Sequence, residues 1–102
     1  MKNFGNTIRT HRENNGLPLR VVASYLKIDQ AILSKIETGK RRAKREQVVR
    51  LASLFKTDQK NLLTLWLADK VYDLVKDEEI ACSAMHVAEK KYHYYNKGTS
   101  IS

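Results

Sequence analysis

The residues best suited to recognition chemistry lie in one short stretch, Gln30-Ala31-Ile32-Leu33-Ser34-Lys35-Ile36-Glu37-Thr38. On a helix advancing about 100° per residue, Gln30, Ser34, Thr38, Ala31 and Lys35 share an arc of roughly 140°. Ile32, Ile36 and Leu33 fall opposite, at about 200°, 240° and 300° from Gln30. One side of the helix is therefore polar or small, and the other is aliphatic. The polar side matches the hydrogen-bonding edges of base pairs. A glutamine can bond adenine through two atoms, and a serine can bond a base edge or a phosphate. Ala31 leaves room for close approach and can touch a thymine methyl, and Lys35 can reach a guanine edge or a phosphate. An ordinary amphipathic surface helix would show the same periodicity. The residues after Thr38 favour the recognition reading: Gly39, then Lys40, Arg41, Arg42, Lys44 and Arg45, five cations within six residues. Such a run can grip phosphates and add affinity and register more than sequence choice. It could also be a solvated face. Arg20 is a further phosphate candidate, and Arg9 a weaker one on the solvated side of its helix.

These side chains must be held by helices. Glycine and proline are scarce, and no strand-like alternation persists. The spacing of Phe4, Ile8 and His11 predicts a helix over about 3–14, stopped by Asn14-Asn15-Gly16. A second helix is expected over about 18–26, with Pro18 in its first turn and Val22, Ala23 and Leu26 inward. Lys27 and Ile28 form a short link. Asp29 is a good N-cap for a third helix that runs to Thr38, where Gly39 ends it. A fourth helix over about 45–55 turns Val48, Leu51, Ala52 and Phe55 to one side. Thr57 or Asp58 caps a fifth over about 59–75, and a sixth is expected over about 78–95 with Asp77, Glu78 and Glu79 as favourable charge at its start. Two short helices joined by a tight turn, at about 18–38, are the helix-turn-helix signal. The second helix of such a pair can enter the major groove.

Charge supports that placement. The net charge is +8 over 102 residues. Residues 1–60 hold 14 Lys/Arg and 5 Asp/Glu, and residues 61–102 hold 5 and 6, so the excess lies wholly in the first part. A basic part beside a near-neutral part points to a polyanion facing the former. Solubility alone is the simpler alternative. The single cysteine, Cys82, excludes an intrachain disulfide and fits a reducing compartment. With no secretory leader and no long apolar run, a cytoplasmic protein without a membrane span is expected.

The residues resemble the lambda-repressor-like helix-turn-helix proteins, over about residues 4–63. Gly5-Asn6-Thr7-Ile8-Arg9-Thr10-His11-Arg12 is similar to that family's opening, and Gly16-Leu17 to its link into the second helix. Val22-Ala23 matches its small aliphatic pair. The likeness is densest over Ile28–Gly39 and continues through Arg50-Leu51-Ala52 to Leu62-Leu63. It implies an all-α fold: a five-helix lambda-repressor-like DNA-binding domain with an additional C-terminal helix. It also implies base or phosphate contacts by Gln30, Ala31, Ser34 and Lys35, and an internal ion pair between Arg12 and Glu37. The chain departs from the pattern at Leu19, where glutamine is common, at Pro18, where Ser or Thr often caps, and at Lys27, a frequent glycine. A positive φ at Lys27 would carry a small strain.

On this reading residues 1–63 form the DNA-binding domain, 64–95 a helical extension and 96–102 a mobile tail. The extension is apolar around much of its fifth helix, so packing on more than one side is expected. Trp66, Val71, Tyr72, Ile80, Ala84, Val87, Tyr92 and Tyr95 are its interface candidates. A homodimer that reads an inverted repeat is the favoured expectation, with double-stranded DNA as the ligand. The extension could instead receive a second protein, as an antitoxin-like module would, with DNA binding secondary or absent. Catalysis is not indicated. His11, His86, His93 and Cys82 lack a convincing metal spacing, and no glycine-rich phosphate loop or nucleophile elbow occurs. No metal or cofactor is expected.

Overall fold

A computed structural model of the chain describes residues 2–97. They form six helices and no strand. The helices are α1 (Phe4–Asn14), α2 (Leu19–Leu26), α3 (Gln30–Glu37), α4 (Arg45–Phe55), α5 (Gln59–Val75) and α6 (Ala81–Asn96). No helix among the described residues is long and apolar enough to cross a membrane.

Local signals explain most boundaries. Asn3 caps α1, its side chain accepting from the Asn6 N–H at 2.8 Å. At the far end Gly16 takes φ +65°, and the Leu17 N–H bonds back to the Arg12 carbonyl. This wrap satisfies carbonyls that the helix end would leave open. The same wrap closes α3 at Gly39, φ +80°, with the Lys40 N–H on the Lys35 carbonyl at 2.8 Å. It also closes α2 and α4, where Lys27 (φ 60°) and Lys56 (φ 53°) hold the left-handed position. A β-carbon there costs about 1–2 kcal/mol that a glycine avoids.

Three starts differ from the sequence expectation. Pro18 stands at the N-cap of α2, not inside its first turn, because its ψ of 157° is extended. Asp29 stands at the N-cap of α3, but its carboxylate makes no capping bond. The last helix begins at Ala81, not near residue 78: Glu78 bonds Val75 and Ala81 bonds Glu78, tight turns that break the helical ladder. The acidic residues 77–79 thus precede α6, and none sits in its first turn. Its end takes in Asn96, Lys97 follows as its C-cap, and residues 98–102 of the expected tail lie outside the described residues.

The chain divides into two compact units, with the division between Lys70 and Val71. The first runs to Lys70, past residue 63. Its core joins Phe4 and Ile8 of α1, Val22, Ala23 and Leu26 of α2, Leu33 and Ile36 of α3, four residues of α4, and Leu62 and Trp66 of α5. The α4 residues are Val48, Leu51, Ala52 and Phe55, one helical stripe as the periodicity predicts. Burying each of Ile8, Val22, Leu33, Val48 and Leu51 contributes roughly 1.5–3 kcal/mol. His11 stacks on Phe55 at 5.5 Å between centroids.

Two polar bonds tie α5 into this unit. The Trp66 indole N–H donates to the Ala43 carbonyl at 2.8 Å, fully buried. The Asp69 Oδ2 accepts from the Phe4 N–H at 2.8 Å, a carboxylate on the positive end of α1. Asp69→Ala is expected to cost about 1.5 kcal/mol, the worth of a hydrogen bond to a charged group. A urea melt checks this; an unchanged midpoint would show that the bond adds nothing.

The second unit begins at Val71 and contains the end of α5, the turn and α6. No residue of α6 is buried. Val71, Tyr72, Leu74, Ile80, Val87, Tyr94 and Tyr95 are all exposed.

Candidate nucleic-acid interface

The α2–α3 pair is joined by Lys27-Ile28-Asp29, and the left-handed turn at Lys27 redirects the chain. Leu33 and Ile36 anchor α3 in the core at 0% and 2% exposure, and Ile32 packs against its edge. That anchoring leaves Gln30, Ala31, Ser34 and Lys35 together on the exposed side. Thr38 shares the surface, but its hydroxyl is used locally, donating to the Ser34 carbonyl at 3.0 Å. The arc thus offers an amide, a hydroxyl, a methyl and an ammonium group, with a rigid helix behind them.

The basic loop is held at both ends. The Lys40 and Arg41 N–H groups both bond the Lys35 carbonyl. Ala43 is buried, and its carbonyl receives the Trp66 indole. The Lys44 N–H donates to Oε1 of Gln47, which fixes the start of α4. Between these anchors Lys40, Arg41, Arg42 and Lys44 are exposed, as is Arg45 at the first position of α4. The Arg45 guanidinium lies 5.2 Å from the Trp66 ring centroid, within cation–π range. Arg20 is exposed in the first turn of α2. Arg9 is also exposed and pairs with Glu13 at 3.4 Å.

Behind the arc sits a bidentate ion pair. Arg12 Nε donates to Glu37 Oε2 at 2.7 Å and Nη2 to Oε1 at 3.1 Å. Arg12 Nη1 also donates to the Leu17 carbonyl at 2.9 Å. Glu37 is the last residue of α3 and is buried. Its hydrogen bonds raise the Arg12 guanidinium above its ordinary value, against the opposing pull of burial. One pair therefore joins α1, the loop after it and the end of α3. Gly5 lets these helices approach: a β-carbon there would lie 2.5 Å from the Glu37 carbonyl oxygen.

A family model described as a helix-turn-helix domain matches residues 3–65. The chain belongs to the helix-turn-helix domain family. No curated protein and no solved structure matches it. The matched span takes in α1 to α4, the basic loop and the start of α5, so the arc and the cations lie on a DNA-binding domain.

One interface candidate is misplaced by the sequence reading. Trp66 is a core residue of the helix-turn-helix unit at 5% exposure, with its indole donor satisfied by the Ala43 carbonyl. The other candidates, Val71, Tyr72, Ile80, Ala84, Val87, Tyr92 and Tyr95, are exposed. Sequence reasoning also misses Arg50, whose Nη2 donates to the Tyr25 carbonyl at 2.7 Å while the guanidinium lies over the Tyr25 ring. It misses Lys70 as well, whose ammonium lies 4.5 Å from the Trp66 centroid. The four-residue spacing of Trp66 and Lys70 is the sequence signal for that contact. Among the described residues no cluster of three or more His, Cys, Asp or Glu could hold a metal ion.

Proposed function

We propose that this protein is a cytoplasmic, sequence-specific regulator of transcription, a repressor that binds an inverted-repeat operator as a homodimer. The observation that carries the reading is the division of α3 into an exposed Gln30, Ala31, Ser34, Lys35 arc and a fully anchored Leu33 and Ile36 face. Placed in the major groove, the arc reads base edges. Lys40, Arg41, Arg42, Lys44 and Arg45, with Arg20, bind the flanking phosphates. The resemblance of residues 4–63 to lambda-repressor-like regulators supports the same assignment. The uncovered apolar side chains of α6 and the end of α5 support a second subunit. A short helix with no buried residue gains little stability by itself in water. The same exposure favours a second reading, in which the extension receives a different protein, as in an antitoxin-like module.

Selection of bound sequences from a random duplex pool, followed by mass measurement of the complex, tests the proposal. Enrichment of an inverted repeat carrying two chains supports it. An unselective pool sinks the specific-regulator reading, and a selected site carrying one chain sinks the dimer. The two contact classes also separate by mutation. Gln30→Ala should change sequence preference, with a loss of about 1–3 kcal/mol of discrimination at one base pair. Arg41→Ala with Arg42→Ala should weaken all sequences together and flatten the salt slope by roughly 1.8, from two lost phosphate contacts. An unchanged preference for Gln30→Ala would remove that residue from the base-reading set.

A further inference from the structure

We propose that Trp66 is a positioning residue for DNA-backbone binding, holding the basic loop and Arg45 in place before DNA arrives. This rests on the reading that residues 40–45 meet phosphates. The backbone of that loop is fixed at one end by α3, through the Lys35 carbonyl. At the other end the fixed point is the Ala43 carbonyl, and the group that holds it is the Trp66 indole N–H, 23 residues away in sequence. The face of the same ring holds the Arg45 guanidinium at 5.2 Å. Trp66 therefore touches both the backbone that carries Arg41, Arg42 and Lys44 and the side chain that comes after them. It is itself 5% exposed, so it acts through these groups and not by meeting DNA. A flexible cation loses rotamer freedom when it meets a phosphate. A loop and a guanidinium already ordered lose less, and the difference appears as affinity. Because phosphates carry no sequence information, the gain applies to every duplex alike.

Trp66→Phe keeps an aromatic ring and removes the donor to Ala43. Binding of the full chain to its selected duplex and to a scrambled duplex should weaken by about tenfold for both, as one ordered hydrogen bond near 1.4 kcal/mol implies. The ratio between the two duplexes should stay the same, and so should the salt slope, because no phosphate-contacting cation is removed. Unchanged affinity, or a changed ratio, would overturn the proposal. Trp66 is the sole tryptophan, which supplies a second readout in the unaltered protein. Its emission should already be that of a desolvated indole in the free protein and should move little when scrambled duplex is added. A large shift on binding, the mark of a ring that rearranges when DNA arrives, would also overturn the proposal, whatever Trp66→Phe does to folding. A protein that binds neither duplex would refute the phosphate-binding reading itself, a distinct result.

Discussion

Glu37→Ala is expected to destabilise the helix-turn-helix unit by about 3 kcal/mol, the cost of leaving a buried charge without its partner. The Arg12 and Glu37 side chains are only 12% and 5% exposed, and their two bonds are well formed. The truncated protein would keep Arg12 among α1, α3 and the loop, with the Leu17 carbonyl as its remaining protein acceptor among those bonds. A loss of about 3 kcal/mol corresponds to a melting temperature lower by roughly 15 °C in a domain of this size. Glu37→Gln keeps the shape and one acceptor, so it should lose less. The exposed Arg9–Glu13 pair supplies the control: Glu13→Ala should change stability by no more than about 0.5 kcal/mol. The raised Arg12 also sets the pH behaviour. A cation held above its unfolded value contributes fully below that value and loses its contribution only as pH rises through the folded one. Arginine deprotonates above the working range, so Arg12 itself adds no pH dependence near neutrality. Thermal melts followed by circular dichroism would decide; a drop under about 3 °C for Glu37→Ala, on the same scale, would mean the pair merely balances its own desolvation.

Gly5→Ala should lower stability by about 2–3 kcal/mol, the cost of forcing atoms into a packed core. The direction is informative. On an exposed helix the same change would stabilise by roughly 0.5–1 kcal/mol, since glycine loses more freedom on folding. Here the new methyl would lie 2.5 Å from the Glu37 carbonyl oxygen and 2.6 Å from that of Ile36. Both atoms are backbone at the end of α3, so no side-chain rotation relieves the clash. The first turn of α1 must lift from α3, and the neighbouring Arg12–Glu37 bonds must stretch. The two substitutions load the same joint, and their combined effect should fall short of the sum. Asn6→Ala, on the exposed side of α1, is the matched control. A melting temperature for Gly5→Ala equal to or above that of the parent would show that the α1–α3 approach has slack.

Much of α3 is legible in the residues alone. The limits of α3 and α4, the split of α3 into polar and aliphatic sides, and the α4 stripe all come from periodicity and from glycine and capping residues. Those signals act within one or two helical turns, so they are written in neighbouring residues. Asp29 marks where that logic weakens: the residue type and position are right for a cap, yet the carboxylate is not used. Helix α6 shows a second weakness, since acidic residues favour a helix start without setting its register.

The sequence by itself determined that this is a basic, helical, helix-turn-helix protein with Gln30, Ala31, Ser34 and Lys35 on one arc beside a run of cations. Tertiary structure decided what holds that surface. Trp66 reads in sequence as part of an apolar, interface-like helix, and only the fold brings it under Ala43. Asp69 carries no local sign of a partner, and only the fold sets it on the N–H of Phe4, 65 residues away. Arg50 meets Tyr25 across 25 residues in the same manner. Each is a polar group whose partner is distant in sequence, and no local periodicity encodes such a pairing. The arc on α3 is a property of eight residues, whereas its orientation against the basic loop is a property of the whole packed unit.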